Sequence, residues 1–368
     1  MYENEFLEKR NNLKKEQNEL TNKYIDENWD AINKLKKANK KENNAFMSEI
    51  IALFEKTVPV IFEEKTKLYV ACDYALFSLL DGNYEKTIEL TDKLEAIPEW
   101  NEYENIFKAS LHSAASAAYY KTENFSKALE YVKSGINLLT KEPSEFPESV
   151  RDEMRLGYLY FQAGEIYESL GLFAEAQKNY SNAEKMFEEH CMNEQLIDVR
   201  IIMGNLHRDN EEFVNAEDCY KKALEHAEYM GKGLPEKFKK YEVMALQSIG
   251  CLKQKTEDFK NAEKYLLEAL KKQEEVGDVP VNKDKTLFSI CNSLCEIYIE
   301  IDNKSKAKEM LNKLSKFSDN TIDNKESIES HYSNLFGVIK NKPEAKGKND
   351  MTDFINDEHK LSINEIDK

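Results

Sequence analysis

Glycine and proline are scarce in this chain, with 12 and 7 copies among 368 residues. A fold of many β-strands needs tight turns, and tight turns depend on these two residues. Their scarcity therefore argues against such a fold. Hydrophobic residues make up 41% of the chain and charged residues 33%, and the helix formers alanine, leucine, glutamate and lysine are frequent. The composition predicts an all-α protein with enough apolar side chains for a large core.

Long apolar runs and a secretory leader are also missing. Asp73 interrupts the most apolar stretch, residues 69–80. No stretch reaches the roughly 18 uncharged residues that a membrane-spanning helix needs. Residues 1–10 are charged and contain no apolar segment of the secretory type. We predict a cytoplasmic protein without a membrane partner.

Basic charge is too scarce for nucleic-acid binding. The chain has 52 Lys and Arg against 69 Asp and Glu, which gives a net charge of -17. Binding to nucleic acid or to an anionic membrane needs clustered positive charge to replace counterions. The acidic excess predicts solubility, and it leaves open a cationic or amphipathic partner segment.

The chain shows no pattern of catalytic or metal-binding residues. None of its six cysteines forms a C-x-x-C pair, and in a reducing compartment we expect them to be small core side chains. Cys291 and Cys295 share one helix face, where packing is favoured over metal binding. No H-E-x-x-H pair, P-loop, G-x-G-x-x-G or G-x-S-x-G is present. We therefore predict no catalytic residue, no metal and no cofactor.

An internal repeat is the most informative pattern in the sequence. A small residue is followed by an aromatic residue, a turn, a second aromatic residue, an alanine, a bulky residue and a small residue. The clearest copy runs from Gly164 to Ala183, and copies with the same offsets run from Gly204 to Ala223 and from Gly250 to Ala269. Weaker copies surround Ala75, Ser116 and Cys295. Small residues at fixed positions let paired helices approach closely, and the aromatic residue covers their crossing.

This pattern resembles the tetratricopeptide repeat over residues 60–318. The resemblance implies an all-α, right-handed superhelical solenoid of about six helix pairs. The aligned positions after each turn are Tyr84, Phe125, Phe173, Phe213, Phe259 and Lys304, and they lie 40 to 48 residues apart rather than the usual ~34. Long-helix repeats of this kind are similar to those of kinesin light chain, the Pins family and the peptide-sensing regulators related to Rap phosphatases.

The chain divides into four predicted segments. Residues 1–58 form an N-terminal helical segment, 59–318 the repeats, 319–340 a capping helix and 341–368 a disordered tail. Pro59 is expected at the start of the first repeat helix. The seven-residue spacing of Phe6, Leu13 and Leu20 fits a coiled-coil seam, but charged residues between them favour a long helix packed on the repeats.

In tetratricopeptide solenoids the first helix of each pair lines the concave face, so the resemblance assigns that face residue by residue. Asn and Gln side chains there can pair with the backbone of an extended peptide, and the aromatic residues can form an apolar pocket. Arg208 is a rare inward positive charge, which favours a carboxylate unless it pairs with Asp209 or Glu211. We predict ligand contacts by Tyr158, Phe161, Asn205, Arg208, Gln247, Gln254 and Asn292.

The predicted function is a scaffold that binds a protein or peptide on this concave face. The alternative is a Rap-like, peptide-responsive regulator of a signalling protein. Rap proteins use a glutamine on an N-terminal helical bundle to assist hydrolysis of a response regulator's aspartyl phosphate. Gln17 is the only glutamine before residue 162, although the family's tyrosine-rich segment before the repeats is not matched. The oligomeric state stays open.

Overall fold

The computed structural model describes residues 44–64, 68–140, 150–275 and 280–314. These residues form thirteen α-helices and one short 3-10 helix, Pro98–Glu102, and they contain no strand. The α-helices are α1 Asn44–Glu64, α2 Tyr69–Leu80, α3 Tyr84–Glu95, α4 Asn105–Lys121, α5 Phe125–Thr140, α6 Val150–Ser169, α7 Phe173–Glu189, α8 Asn193–Asp209, α9 Phe213–Gly231, α10 Pro235–Lys255, α11 Phe259–Glu275, α12 Pro280–Glu300 and α13 Lys304–Leu314. The predicted N-terminal helix with Gln17, the capping helix and the tail lie outside the described residues.

The chain forms two compact units, Met1–Leu252 and Lys253–Lys368. In unit 1, α2 packs with α3, α4 with α5, α6 with α7, and α8 with α9. In unit 2, α12 packs against both α11 and α13. The all-α, tetratricopeptide-like fold is confirmed, and its right-handed sense stays a prediction.

Each of the six aligned positions after a turn is the first residue of a helix, at the start of α3, α5, α7, α9, α11 and α13. Two residues earlier, each turn has positive φ, at Gly82, Glu123, Gly171, Glu211, Glu257 and Asp302. The preceding helix ends in one recurring pattern. In the third turn, Gly171 N–H donates to Glu168 C=O at 2.9 Å and Leu172 N–H to Tyr167 C=O at 2.9 Å. This Schellman pattern satisfies the last carbonyls of the first helix.

The residue after the positive-φ position caps the second helix. Asn83 Oδ1 accepts from Lys86 N–H at 3.1 Å, and Asn303 Oδ1 accepts from Lys306 N–H at 3.2 Å. Leu172 stands at this position before α7 and offers no capping atom. Glu212, at the same position before α9, makes no side-chain cap bond either. The repeat therefore tolerates loss of the cap at two of these turns, because the packed pair supplies most of the helix stability.

Two glycines set the distance between paired helices in unit 1. A Cβ built on Gly164 would lie 2.4 Å from the Tyr180 ring, and one on Gly204 would lie 2.4 Å from the Tyr220 ring. Both tyrosines are fully buried. In another pair the small residue is Ser116, whose hydroxyl donates to the Ala128 carbonyl across the pair at 2.8 Å. The small residue of the repeat thus faces the second helix, as its spacing predicts.

Pro59 does not begin a helix, and that prediction is wrong. It lies inside α1, which continues to Glu64, and the first helix of the first pair begins at Tyr69. Proline favours helix starts because its missing N–H is unneeded there, but an internal proline costs a helix only about 3 kcal/mol. Phe54 and Val58, both buried against α2 and α3, offset that cost by burial.

Cys291 and Cys295 are both fully buried free thiols on α12. The Cys295 thiol lies 3.7 Å from the Ala307 carbonyl of α13, which places it at the close crossing of the pair. Burial raises the pKa of both thiols, to about 11 for Cys291 and about 12 for Cys295. They are core residues, as predicted. Among the described helices, none has the length and apolar character that crossing a membrane requires.

Candidate functional site

First helices of successive pairs lie side by side in unit 1. Ser113 of α4 donates to Gln162 of α6 at 2.8 Å, and the Tyr120 and Ser169 hydroxyls are 3.0 Å apart. Tyr241 of α10 donates to Glu194 of α8 at 3.1 Å. We call the polar surface along α4, α6, α8 and residues 235–252 of α10 the first-helix face. It contains Gln162, Glu165, Asp198, Asn205 and Gln247.

The two predicted aromatic contacts occupy different environments. Tyr158 is 36% exposed, and its ring meets Phe187 edge-on at 5.5 Å between centroids. Phe161 is partly buried between Tyr180 and Phe187, at centroid distances of 5.7 and 6.5 Å. Tyr158 therefore presents ring surface to solvent, whereas Phe161 mainly packs α6 against α7.

Asn205 and Arg208 are brought together on α8, but both are engaged within the protein. Asn205 Oδ1 accepts from the Tyr220 hydroxyl at 2.7 Å and from Arg208 Nη1 at 3.3 Å. Arg208 Nε donates to Asp209 Oδ1 at 2.9 Å. The structure thus contains the ion pair with Asp209 that the sequence allowed, and it compensates much of the positive charge on which an acidic ligand would depend.

The remaining predicted residues belong to α10 and α12. Gln247 is partly buried on the part of α10 in unit 1. In unit 2, Gln254 Nε2 donates to Glu296 Oε2 at 2.8 Å, and Asn292 Nδ2 donates to Glu296 Oε1 at 2.9 Å. Glu296 therefore accepts hydrogen bonds from two of the predicted amide side chains.

Two carboxyl groups on the first-helix face have no such partners. Glu165 on α6 and Asp198 on α8 are both partly buried, and neither forms a hydrogen bond or ion pair with any of the residues that the structure describes. Burial raises the pKa of Glu165 to about 7, with Lys121 opposing and Glu168 adding to the shift. Burial likewise raises the pKa of Asp198 to about 6, against the nearby Lys240. A ligand that donates to these groups would supply what the protein does not.

A cavity of about 90 Å³ opens beside Glu165, between α4 and α6. Its walls include Ala117, Tyr120, Gln162 and Ile166. Lys121 also borders it, and its ammonium lies 5.8 Å from the centre of the Tyr120 ring. The cavity thus combines an unpartnered carboxyl with an aromatic face and aliphatic walls.

A larger cleft of about 440 Å³ lies between α1, α2 and α3, away from the first-helix face. Val58, Tyr74 and Leu90 form part of its apolar wall. Its two lysines are already paired, since Glu89 accepts from Lys86 at 2.9 Å and from Lys93 at 2.6 Å. This cleft offers an apolar surface with its charges compensated.

Sequence reasoning favoured amides and missed the importance of Glu165 and Asp198. Both occupy inward positions of the repeat, but in an acidic chain a carboxylate ordinarily faces water. Whether such a carboxyl has a partner among the described residues depends on packing between successive pairs, which the repeat pattern does not specify. Across the described parts of the chain, no group of three His, Cys, Asp or Glu side chains is arranged to hold a metal ion.

Comparison with known proteins supports the repeat assignment. The tetratricopeptide repeat family model matches residues 157–190 and 245–273. The first match covers α6 and α7, the pair that contains Gly164 and Tyr180. The prediction of tetratricopeptide repeats is confirmed. A search of curated proteins found no significant match.

Several solved structures share this fold at low sequence identity. Apo RapI is 16% identical, with 87% of this chain and 82% of RapI covered at a TM-score of 0.59. The tetratricopeptide-repeat sensor of a signal transduction ATPase from Pyrococcus horikoshii is 16% identical, with 85% and 49% covered at 0.60. The apo quorum sensor NprR from B. thuringiensis is 14% identical, with 87% and 82% covered at 0.54. Identities this low indicate a shared fold.

Proposed function

We propose that this tetratricopeptide-repeat chain binds an extended peptide, or an extended segment of a partner protein, along the first-helix face of unit 1. The observation that carries the proposal is a pair of carboxyls, Glu165 and Asp198, that have no hydrogen-bond or ion-pair partner among the described residues, in a row of otherwise satisfied polar side chains. Neither carboxyl is fully buried, so water can solvate both in the free chain, and a ligand that covers them would need to donate hydrogen bonds to them. Their presence on two successive first helices is accounted for if a ligand donates to them.

An extended peptide is the ligand class that this row fits best. Gln162, Asn205 and Gln247 recur on successive first helices, and such spacing suits a backbone that runs across the helices. Tyr158 adds exposed ring surface on α6. Because Arg208 is paired with Asp209, we propose a neutral or basic peptide rather than the acidic one that the sequence allowed.

We further propose that binding serves regulation rather than catalysis by this chain. Two proteins of the same fold are described as sensors, a quorum sensor and the sensor of a signal transduction ATPase. The phosphatase alternative rests on Gln17, which lies outside the described residues. Release of phosphate from a phosphorylated response regulator, lost in Gln17→Ala, would support that alternative.

A matched pair of tyrosine variants tests the binding face. Tyr158 lies on the first-helix face, whereas Tyr229 on α9 is 69% exposed and contacts Lys232. The probe is a fluorescein-labelled mixture of capped nonapeptides, measured by fluorescence anisotropy. Tyr158→Ala should weaken binding about tenfold, which is the loss of roughly 1.4 kcal/mol of aromatic contact.

Tyr229→Ala should bind the same mixture like the unmodified chain. If Tyr229→Ala weakens binding and Tyr158→Ala does not, the ligand lies on the second helices and the proposal is wrong. A benzoylphenylalanine-containing peptide mixture, cross-linked and mapped by mass spectrometry, gives an independent readout. Cross-links on α4, α6 and α8 would support the proposed face.

A further inference from the structure

The cavity beside Glu165 has features that select one kind of side chain. Its Gln162 amide is already bonded to Ser113 of α4 at 2.8 Å. Glu168, one turn along α6, accepts from the Tyr180 hydroxyl at 2.6 Å. Glu165 lines this cavity, and among the described residues no group donates a hydrogen bond to its carboxyl.

We propose that this cavity receives a lysine side chain of the bound peptide and holds its ammonium group against Glu165. The inference rests on the proposed function, since it names the residue that the first-helix face prefers. Ammonium and carboxylate form a charge-assisted hydrogen bond, which is stronger than a neutral one. A lysine thus supplies the donor that Glu165 lacks.

The size and walls of the cavity fit the end of an unbranched side chain. Its volume of about 90 Å³ corresponds to roughly three water molecules. Ala117 and Ile166 offer apolar contact to the methylene groups of lysine, which pack against apolar surface while the charged end bonds elsewhere. Arginine ends in a broader planar guanidinium group, which needs more room than the ammonium group of lysine in a cavity of this size.

Tyr120 adds a second attraction for an ammonium group. The Lys121 ammonium already lies 5.8 Å from the centre of this ring, which is within the range of a cation–π contact. Lys121 is exposed and forms no ion pair with Glu165. An incoming ammonium can therefore pair with Glu165 while Lys121 stays in solvent.

The charges around Glu165 also predict how binding depends on pH. Lys121 and Tyr120 face it from α4, Glu168 lies on its own helix, and Tyr180 faces it from α7. Burial raises the pKa of Glu165 to about 7, and Tyr180 keeps its proton in this range because burial also raises its pKa. Lysine binding favours the ionised carboxylate, so affinity should increase between pH 6 and pH 8.

The test uses capped nonapeptides whose central residue is lysine, arginine, norleucine or glutamate, with mixed uncharged residues elsewhere. Binding of each labelled set to the full chain is measured by fluorescence anisotropy at pH 6 and pH 8. The lysine set should bind about tenfold more tightly than the norleucine set at pH 8. Glu165→Gln should abolish this preference, and Glu175→Gln, the same charge change at an exposed site on α7, should keep it.

Ala117→Leu is a second variant that fills the cavity and leaves Glu165 in place. It should weaken the lysine set more than the norleucine set, and so reduce the preference for lysine. If lysine and norleucine sets bind alike, or if Glu165→Gln keeps the preference, the lysine inference fails while peptide binding stands. Preference for arginine would also overturn it. If no set binds, the proposed function fails.

Discussion

Single residues decide how closely the helices of a pair approach. Gly164 and Gly204 lie against the rings of Tyr180 and Tyr220, at distances that leave no room for a methyl group. Each ring is also fixed at its hydroxyl, since Tyr180 donates to Glu168 and Tyr220 to Asn205. The rings therefore cannot move aside without losing a partly buried hydrogen bond.

Gly204→Ala should destabilise the protein by about 1–3 kcal/mol. Alanine favours a helix over glycine by up to about 1 kcal/mol, but overpacking a rigid core outweighs that gain. Urea denaturation gives the free energy of unfolding. Gly233→Ala is the control, because its nearest neighbour to an added Cβ is 3.9 Å away. Equal stability of the two variants would show that the Tyr220 ring can shift.

Glu165 makes stability depend on pH at another single residue. Its pKa is about 7 in the folded protein, against an ordinary value of 4.5. Between these pH values the folded state holds more protons than the unfolded state. The free energy of unfolding contributed by this group therefore falls as pH rises from about 4.5 to 7.

Glu165→Gln should be more stable than the unmodified chain at pH 8, by about 1–3 kcal/mol. At pH 4.5 the two should differ little, because the carboxyl is then protonated in the folded state. Urea denaturation at both pH values measures the difference. The exposed Glu175→Gln should show the same difference at both pH values. A pH-independent effect of Glu165→Gln would contradict the raised pKa.

At the scale of helices, one turn design is repeated six times. The positive-φ residue is glycine in two turns and an acidic residue in four, so the backbone pattern holds where the side chain does not favour it. A non-glycine residue in this conformation costs about 1–2 kcal/mol. The hydrogen bonds of the Schellman pattern and the packing of the pair offset that strain.

The uncapped start of α7 is a place where the repeat can be improved. Leu172 is 44% exposed, and it stands where Asn124 caps α5 by accepting from Lys127 N–H at 3.2 Å. Leu172→Asn should stabilise the protein by about 1 kcal/mol. The matched change Asn124→Leu should destabilise it by a similar amount. Thermal unfolding measures both, and a lower midpoint for Leu172→Asn would mean that the leucine's packing matters more than the cap.

At the scale of the whole molecule, acidic charge is the dominant electrostatic property. The net charge is -17, and self-repulsion of that size destabilises a compact state. Ion pairs on the surface of one helix, such as Lys221–Glu217 and Lys222–Asp218, stabilise the folded state. Such ion pairs contribute only about 0–1 kcal/mol each. Repulsion among the excess carboxylates should therefore outweigh them.

Stability should consequently rise with ionic strength. Salt screens charges beyond about 10 Å at 0.1 M, so long-range repulsion is reduced before close ion pairs are. We expect a higher midpoint of urea denaturation in 0.3 M NaCl than in 0.02 M NaCl, at pH 8. A midpoint that falls with NaCl would show that ion pairs dominate.

The sequence by itself determined the helix pairs and their boundaries after each turn. A recurring small residue, aromatic residue and alanine specify local packing between neighbours in the chain, and local packing is what a repeat encodes. It also identified Cys291 and Cys295 as core residues. The prediction from sequence was wrong at Pro59, because burial of Phe54 and Val58 outweighed the preference of proline for helix starts.

Only the tertiary structure decided which inward side chains are available to a ligand. Asn205, Arg208, Gln254 and Asn292 fit the inward pattern, yet each is hydrogen-bonded within the protein. Glu165 and Asp198 fit the same pattern, and neither has a hydrogen-bond or ion-pair partner in the described part of the chain. Part of the difference arises from contacts between residues 15 and 42 positions apart, Asn205 with Tyr220 and Gln254 with Glu296. Such contacts depend on how successive helices are placed in space, and a repeat of residue types does not specify that placement.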